Sequence, residues 1–572
     1  MTPETKNCQN CKKDFTIEPD DFAFYEKMKV PAPTFCSECR MQRRFAFRNE
    51  WKLYQRKCDL CKKSIIAMYP ANTTFPVYCH DCWYSDKWDA KDYGMEYNFS
   101  QPFLSQFKEL INAVPRLNLF QRNSINSPFT NMVGESKNVY LSCSVIDGSE
   151  NVFYSKFIDK SFNIIDSFST TNSDMCYENT HVDRNYSSSF AVLSRNCIDC
   201  RFIYDCINCK NCILSANLRN RQFVIRNKSY SKEEYFNEIE KMNFDSYKAT
   251  EEYKKEFSAL KQKAIHKFAD ITKSPGSTGN HITNSKNAEH CFETHDAEDA
   301  KYCFRLVGGK QLYDLDYGGI NSELIYEYVT GGKNDRKVMF SVSAFEAVHD
   351  AYYTDYCSSS SYLFGCSAMR SKEYCILNKQ YTKEEYEELL PKIKQHMDDM
   401  PYIDKGGRMY KYGEFFPIEF SPFPYNETLA QECFPLTKEQ VIKNGFVWKD
   451  EEVKNYIPTK SISDIPDRIT DIDNSIVGEI VECNHKELCD HWCTKAFKIN
   501  SEEFQLYKKM NIPLPRICPS CRYFERISRI EPLKLWHRKC MKPGCPNEFE
   551  TSYSPDRPEI VYCETCYNQE VA

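Results

Sequence analysis

Between residues 138 and 212 the chain repeats a short pattern. An Asn or Asp recurs at 138, 151, 163, 174, 185, 196 and 208. Each is followed by a brief alternation of aromatic, Cys or β-branched positions, as in KNVYLSC, ENVFYSK, FNIIDSF and INCKNCI. A turn former followed by a period-two run predicts one short strand per unit. Spacings of 11 to 13 residues over seven units predict a β-solenoid, whose rungs stack like residues into ladders. One unit can make a coil, or two can make a coil of about 23 residues; the spacing leaves both open. The period returns in NAEHCFE (287–293) and DAKYCFR (299–305), and continues through Tyr352, Leu363 and Cys375.

Helical patterning closes each repetitive block. RNKSYSKEEYFNEI (226–239) matches LNKQYTKEEYEELL (377–390) at an offset of 151. Ser231 and Thr382 are good N-caps, and Glu234 and Glu385 complete capping boxes. The first helix is expected to run toward residue 270, and both are expected to shield open strand edges. SPGSTGN (274–280) reads as a flexible link into the second block. A short helix is predicted near Phe103 to Ile111, and another over Lys438–Lys443, capped by Thr437 and stopped by Gly445. Pro417, Pro422 and Pro424 among phenylalanines predict a segment packed on a surface rather than a sheet strand.

The cysteines change this picture at the ends. Of 572 residues 30 are Cys, and residues 1–90 hold eight of them as Cys8/Cys11, Cys36/Cys39, Cys58/Cys61 and Cys79/Cys82. Two CxxC knuckles complete a tetrahedral all-thiolate zinc site. Sequential pairing puts Cys8, Cys11, Cys36 and Cys39 on one ion and the next four on another; cross-bracing fits the spacing too. Such filled sites are structural, because catalytic zinc keeps an open position. The chain opens with the polar text MTPETKNCQNCKKDF, which is neither a signal peptide nor a membrane span. With paired cysteines, that predicts a reducing, cytoplasmic setting.

The C-terminal end repeats the module. CKKDFTIEPDDFAFYEKMKVPAPTFCSECR (11–40) matches CTKAFKINSEEFQLYKKMNIPLPRICPSCR (493–522), and KLYQRKC (52–58) matches KLWHRKC (534–540). The offset is 482 as far as Cys58 and Cys540, then 484, because the knuckle loosens to Cys540-MKPG-Cys545. One site is therefore Cys540, Cys545, Cys563 and Cys566. The other is read as Cys489 and Cys493 with Cys518 and Cys521; Cys483, His485 and His491 are alternatives for the first ligand. About four zinc ions per chain are expected. Helical Phe-x-x-Tyr spacing before the second knuckle is expected to begin at Thr16 or Asn500.

Net charge is −6, so overall charge does not predict a polyanion binder. Locally, residues 36–63 carry nine Lys or Arg against three acids, and 516–542 carry eight against two. Arg40, Arg43, Arg44 and Arg48, with Arg522, Arg526, Arg529 and Arg538, are candidates for phosphate contact, interleaved with aromatics able to stack on bases. Cations near a four-thiolate zinc site are also expected on electrostatic grounds alone. Cys197, Cys200, Cys206, Cys209 and Cys212 fit either a further metal or iron–sulfur site or an internal ladder of small buried residues, the simpler reading. Glu414 and Glu419 are the nearest approach to paired carboxylates, and nothing in the text sets them opposite a base or metal.

CQNCKKDFTIEPDDFAFYEKM, KLYQRKCDLC, FPVYCHDCWYSDKWD, KYGEFFPIEFSPFPYNETLAQECFPL and CPNEFETSYSPDRPEIVYC carry a resemblance over essentially the full length. The chain resembles a family of large zinc-ribbon proteins from ultra-small bacteria of the candidate phyla. The resemblance implies architecture and a bacterial cytoplasmic setting, but no reaction. Some members carry a CoA-transferase label, which this sequence does not support: it has no nucleotide-binding glycine fingerprint. Gly308-Gly309 and Gly331-Gly332 read as turns inside repeats.

The expected architecture is mainly β, with duplicated double zinc-ribbon modules at 1–90 and 481–572. Between them come a linker with a short helix (91–137), solenoid-like repeats (138–230), a helical segment (231–273) and a second repeat block (274–380). A capping helix (381–397) and a Phe/Pro-rich segment with linker (398–480) complete the chain. The expected function is a non-enzymatic scaffold contacting RNA, a ribonucleoprotein or DNA through the arginine-rich modules. A protein-assembly component or homo-oligomer is the alternative, and a metal-dependent enzyme the third; no membrane association is expected.

Overall fold

The computed structural model describes residues 2–450, 457–485, 489 and 492–571. Its centre is two parallel β-solenoids. In the first, Glu150, Phe162, Asp174 and Tyr186 pair in register on successive coils, so one coil takes 12 residues. Each repeat unit is thus a full coil, and the reading of two runs per coil does not hold. In the second, Lys310, Glu323, Arg336 and His349 pair at 13-residue spacing.

So short a coil forces a turn every three residues. Asn151, Tyr154, Phe157, Lys160 and Asn163 all have left-handed backbone, with φ of 58°, 53°, 61°, 45° and 54°. The residues between them point inward: Val152, Ser155, Ile158, Ser161 and Ile164 are fully buried. The tube is therefore four-sided, with one interior side chain per side, filled mostly by Val, Ile, Ser, Thr and Cys. Left-handed backbone costs roughly 1–2 kcal/mol at a non-glycine residue, least at Asn. Here the asparagines add a ladder. Asn126 Nδ2 donates to Asn138, Asn138 to Asn151, and Asn151 to Asn163, at 2.9 to 3.0 Å. Asn185, one of the recurring asparagines, is instead an interior residue.

Interior serines satisfy backbone groups where the strand ladder breaks. Ser155 N donates to Ser142 Oγ and Ser167 N to Ser155 Oγ, both at 3.0 Å. The column continues with Asn179 N to Ser167 Oγ at 3.2 Å. Buried amides need such partners, so the serine columns are structural. Cysteine takes the same place: Cys197 Sγ donates to the Arg195 and Cys206 carbonyls, as Ser188 Oγ does to those of Tyr186 and Cys197. All five cysteines from Cys197 to Cys212 are interior and donate to the carbonyl two residues back. The ladder reading accounts for them.

Several expectations are corrected. The first coil begins at Gln121–Arg122, which pairs with Val133–Gly134, so solenoid starts within the expected linker. The closing helix after Ser231 covers only Lys232–Glu240; a second helix, Tyr247–Lys263, starts at its own cap, Ser246. Residues 274–280 are not a link but the opening coil of the second solenoid. Ser274 and Ser277 already accept from Ser285 N and Ala288 N, as interior serines do elsewhere. Both capping boxes form, and Tyr235 and Tyr386 pack on the last coils. Gly318, with φ 137°, meets the next coil so closely that a Cβ there would lie 2.5 Å from Gly331 O. Helix Phe103–Ala113 lies on the second solenoid through Phe103. The Phe/Pro-rich stretch is buried through Phe415, Phe416, Phe420 and Phe423.

The terminal modules cross over. The N-terminal one docks on the second solenoid, and the C-terminal one on the first. Helices Ser37–Phe45 and Pro519–Ile527 carry the buried arginine contacts, and Glu50 of the N-terminal module also meets Lys156 of the first solenoid.

Candidate metal centres

Each centre is built from a hairpin and a helix start. Strands Glu4–Asn7 and Asp14–Ile17 pair, and Cys8 leaves the first strand with its N–H bonded to Lys13 O at 2.9 Å. Lys12 takes left-handed backbone, φ 62°, so that the turn brings Cys11 beside Cys8. Lys62 does the same, φ 64°, after Cys61. The second pair begins a helix: Cys36 precedes Ser37–Phe45, Cys79 precedes His80–Trp83, and Cys518 precedes Pro519–Ile527. In all four centres the amide of that cysteine donates to the sulfur of the first one. The bonds are Cys36 N to Cys8 Sγ, Cys79 N to Cys58 Sγ, Cys518 N to Cys483 Sγ and Cys563 N to Cys540 Sγ, at 3.2 to 3.3 Å.

These geometries fit zinc. A tetrahedron with Zn–S bonds of about 2.3 Å has sulfur–sulfur edges of about 3.8 Å. Cys11–Cys36, Cys61–Cys79 and Cys545–Cys563 are each 3.8 Å apart, and Cys483–Cys521 and Cys493–Cys518 are 3.9 Å. Ligand atoms within each four-cysteine group lie within 4.8 Å of one another. Pairing is sequential, not cross-braced. In each centre one sulfur is held down as the preferred thiolate while neighbouring sulfurs are pushed up: burial opposes ionisation of Cys58, but the amides of Cys61, Cys79 and Leu60 bring its thiol down to about 7. Burial likewise opposes ionisation of Cys563, where the Asn547 amide helps bring it to about 6.

The third centre corrects the expected ligand. It comprises Cys483, Cys493, Cys518 and Cys521, not Cys489. Cys483 leaves strand Val481–Glu482, its N–H bonded to Lys495 O at 2.8 Å, in the place that Cys8 holds. Alignment by numbering missed this because Cys8-x-x-Cys11 has become Cys483 and Cys493 with nine residues between. Cys489 stands beside the centre, 3.7 Å from Cys521, in a group with His485. His491 lies outside the described residues.

The arginines are the second correction. Arg40, Arg43, Arg44, Arg48, Arg522 and Arg526 are all 3 % exposed or less. Arg40 Nη2 meets Asp314 at 2.8 Å; Arg44 meets Asp314, Asp316 and Glu327. Arg43 bridges Glu327 and Glu414, and Arg48 meets Glu50 at 2.6 Å. In the other module Arg522 meets Asp166 at 2.8 Å, and Arg526 meets Asp166 and Glu178. These six side chains lock module to solenoid and face no solvent. Arg529 is exposed beside Glu525, and half-buried Arg538 donates to the Ser554 carbonyl at 3.2 Å. Clustered positive charge was legible in the text; its buried partners were not. The signal that could have found them is acid inside an apolar coil, as in LYDLDY (312–317). Glu414 accepts from Thr34 and Arg43, while Glu419 accepts from Tyr402 and Lys405, so the two serve separate contacts.

No helix among the described residues is long and apolar enough to cross a membrane. No protein-family model matches the chain, and no curated protein matches it. Among solved structures it is similar, at 11% identity, to one from Desulfovibrio desulfuricans G20 assigned as an acetyltransferase. The match covers 43% of this chain and 60% of that one, with a TM-score of 0.10. At that score the likeness carries no argument about fold or activity.

Proposed function

We propose that the chain is a non-enzymatic, zinc-stabilised scaffold for protein assembly. The observation that carries this reading is the arginine lock. Five of the eight arginines expected to reach phosphate instead face buried carboxylates of the solenoids, and a sixth, Arg48, is buried against Glu50 of its own module and the Thr330 and Ser144 hydroxyls. A buried guanidinium with two or three carboxylates holds an orientation; it offers nothing to a polyanion. Zinc then acts as a local fold-forming ion, giving each arginine-bearing helix a rigid base. Three further basic groups of the C-terminal module also face acids: His537 and Lys539 meet Glu548, and Lys542 meets Glu570.

None of the thirty cysteines is disulfide-bonded and sixteen stand in the four-cysteine metal-binding groups, which supports a reducing compartment such as the bacterial cytoplasm. Membership of the zinc-ribbon family of ultra-small bacteria, read from the resemblance, belongs to the same proposal. A second reading, RNA contact through exposed Arg529 and neighbouring Arg538, rests on their position outside the lock. Affinity isolation with and without nuclease tests both. The scaffold reading expects co-purifying protein that survives nuclease. Salt-sensitive RNA retention that disappears in the Arg529→Ala/Arg538→Ala double variant would replace it with the second.

A further inference from the structure

The two modules differ most at the first knuckle of the third centre. In the N-terminal copy, two residues separate Cys8 and Cys11; in the C-terminal copy, nine separate Cys483 and Cys493. The added segment carries His485 and Cys489. Both ligand atoms lie within 4.8 Å of each other and of Cys521 Sγ. Cys489 Sγ is 3.7 Å from Cys521 Sγ, the edge of a zinc–thiolate tetrahedron of about 3.8 Å. The four-sulfur set of the third centre is already complete, and a tetrahedral ion takes no fifth thiolate.

We propose that His485, Cys489 and Cys521 form a fifth metal site, with the Cys521 thiolate bridging it to the structural zinc. Among the described residues one imidazole and two thiolates converge there, a soft ligand set of the class that zinc takes. A second change in the copy fits this use. Arg43 of the first module is answered by Glu525, which does not face the solenoid carboxylates; its Oε1 lies 3.3 Å from His485 Nε2. A carboxylate behind a ligating imidazole fixes the ring and raises its basicity. The site takes Zn²⁺, or Co²⁺ as a probe, and binding displaces the Cys489 thiol proton to solvent. It does not depend on the scaffold reading, since it follows from ligand geometry alone.

The test is metal stoichiometry of the full chain in buffered free zinc, read by mass spectrometry of the metal content. The wild type is expected to hold five ions. Cys489→Ser and His485→Ala are each expected to hold four, with thermal unfolding unchanged. Titration with Co²⁺ gives an independent readout: a fifth equivalent with its own ligand-field bands, lost in Cys489→Ser. Four ions in the wild type, or five in Cys489→Ser, would overturn the site. So would a Cys483→Ser chain that keeps the third ion while Cys489→Ser loses it, which would make Cys489 an ordinary structural ligand.

Discussion

The two terminal modules share one ancestor in the text and one way of docking, yet they are not equally anchored. In the N-terminal module, three arginines of helix Ser37–Phe45 meet Asp314, Asp316, Glu327 and Glu414. In the C-terminal module, two arginines of helix Pro519–Ile527 meet Asp166 and Glu178. The shared part is the pair spaced by four residues, one helical turn, whose second arginine reaches carboxylates on successive coils in both copies. Arg40 and Arg44 answer Arg522 and Arg526; Arg43 has become Glu525. Preceding helices differ too. Asp21 meets Lys301 at 2.7 Å, whereas its counterpart Glu503 accepts from the Tyr154 hydroxyl at 2.8 Å. The difference teaches that the lock is the inherited feature, and that the second copy gave up part of it beside an altered metal knuckle.

The largest expected effect tests whether the centres are equivalent. Cys8→Ser and Cys483→Ser should each release one zinc and undock their own module, since structural zinc carries about 10 kcal/mol or more of folding free energy. Zinc counts and limited proteolysis check it; an intact third centre in Cys483→Ser would break the equivalence. Next come the locks. Arg44→Met leaves buried Asp316 without its cation and takes one of two cations from Asp314 and Glu327, and should cost about 3–5 kcal/mol; Arg526→Met should sit at the low end of that range. Denaturant midpoints decide, and equal losses would mean that the extra carboxylates add nothing.

A pH comparison sharpens the contrast. Burial pushes the Glu503 carboxyl up to about 7, against the pull of Arg522 and the Tyr154 hydroxyl. A raised acid binds its proton more tightly in the folded state. Its contribution is therefore fully present below the ordinary carboxylate range and is lost as pH rises through about 7. Glu503→Gln should remove that dependence and gain stability at pH 8, by at most about 3 kcal/mol. Midpoints measured at pH 6 and pH 8, where the zinc sites hold, read it out; an unchanged slope would show that Glu503 does not titrate there.

Smaller effects separate the solenoids. Asn151→Ala breaks two ladder bonds and leaves a left-handed turn to alanine, at a cost of about 1–2 kcal/mol. In the second solenoid the ladder bond from Asn321 to Asn334 is longer, 3.3 Å, so Asn321→Ala should cost less. Last, Cys200→Ser should change stability by less than about 1.5 kcal/mol, because serine fills equivalent interior places. A large loss, with a metal ion released, would reverse the ladder reading of Cys200.

Much of this was legible locally. Knuckle spacing, a repeat of 11 to 13 residues, the capping boxes at Ser231 and Thr382 and the duplication of the ends all lie in neighbouring residues, so the text determines them; whether one unit or two make a coil it left open. The caps form because a side chain bonds an amide three residues away. The ladders form because the same small residue recurs at every coil. Tertiary structure alone decided which solenoid each module grips, why six arginines are buried and which cysteine completes the third centre. Arg40 and Asp314 are 274 residues apart, and no period or spacing connects them. The text favours Cys489, which the numbering sets next to the partner of Cys8, and keeps Cys483 as an alternative, because either lies within reach of Cys493 along the chain. Only the hairpin Val481–Glu482 with Ala496–Phe497 aims the Cys483 sulfur at the helix start. Spacing records which residues recur; long-range packing determines what each one faces.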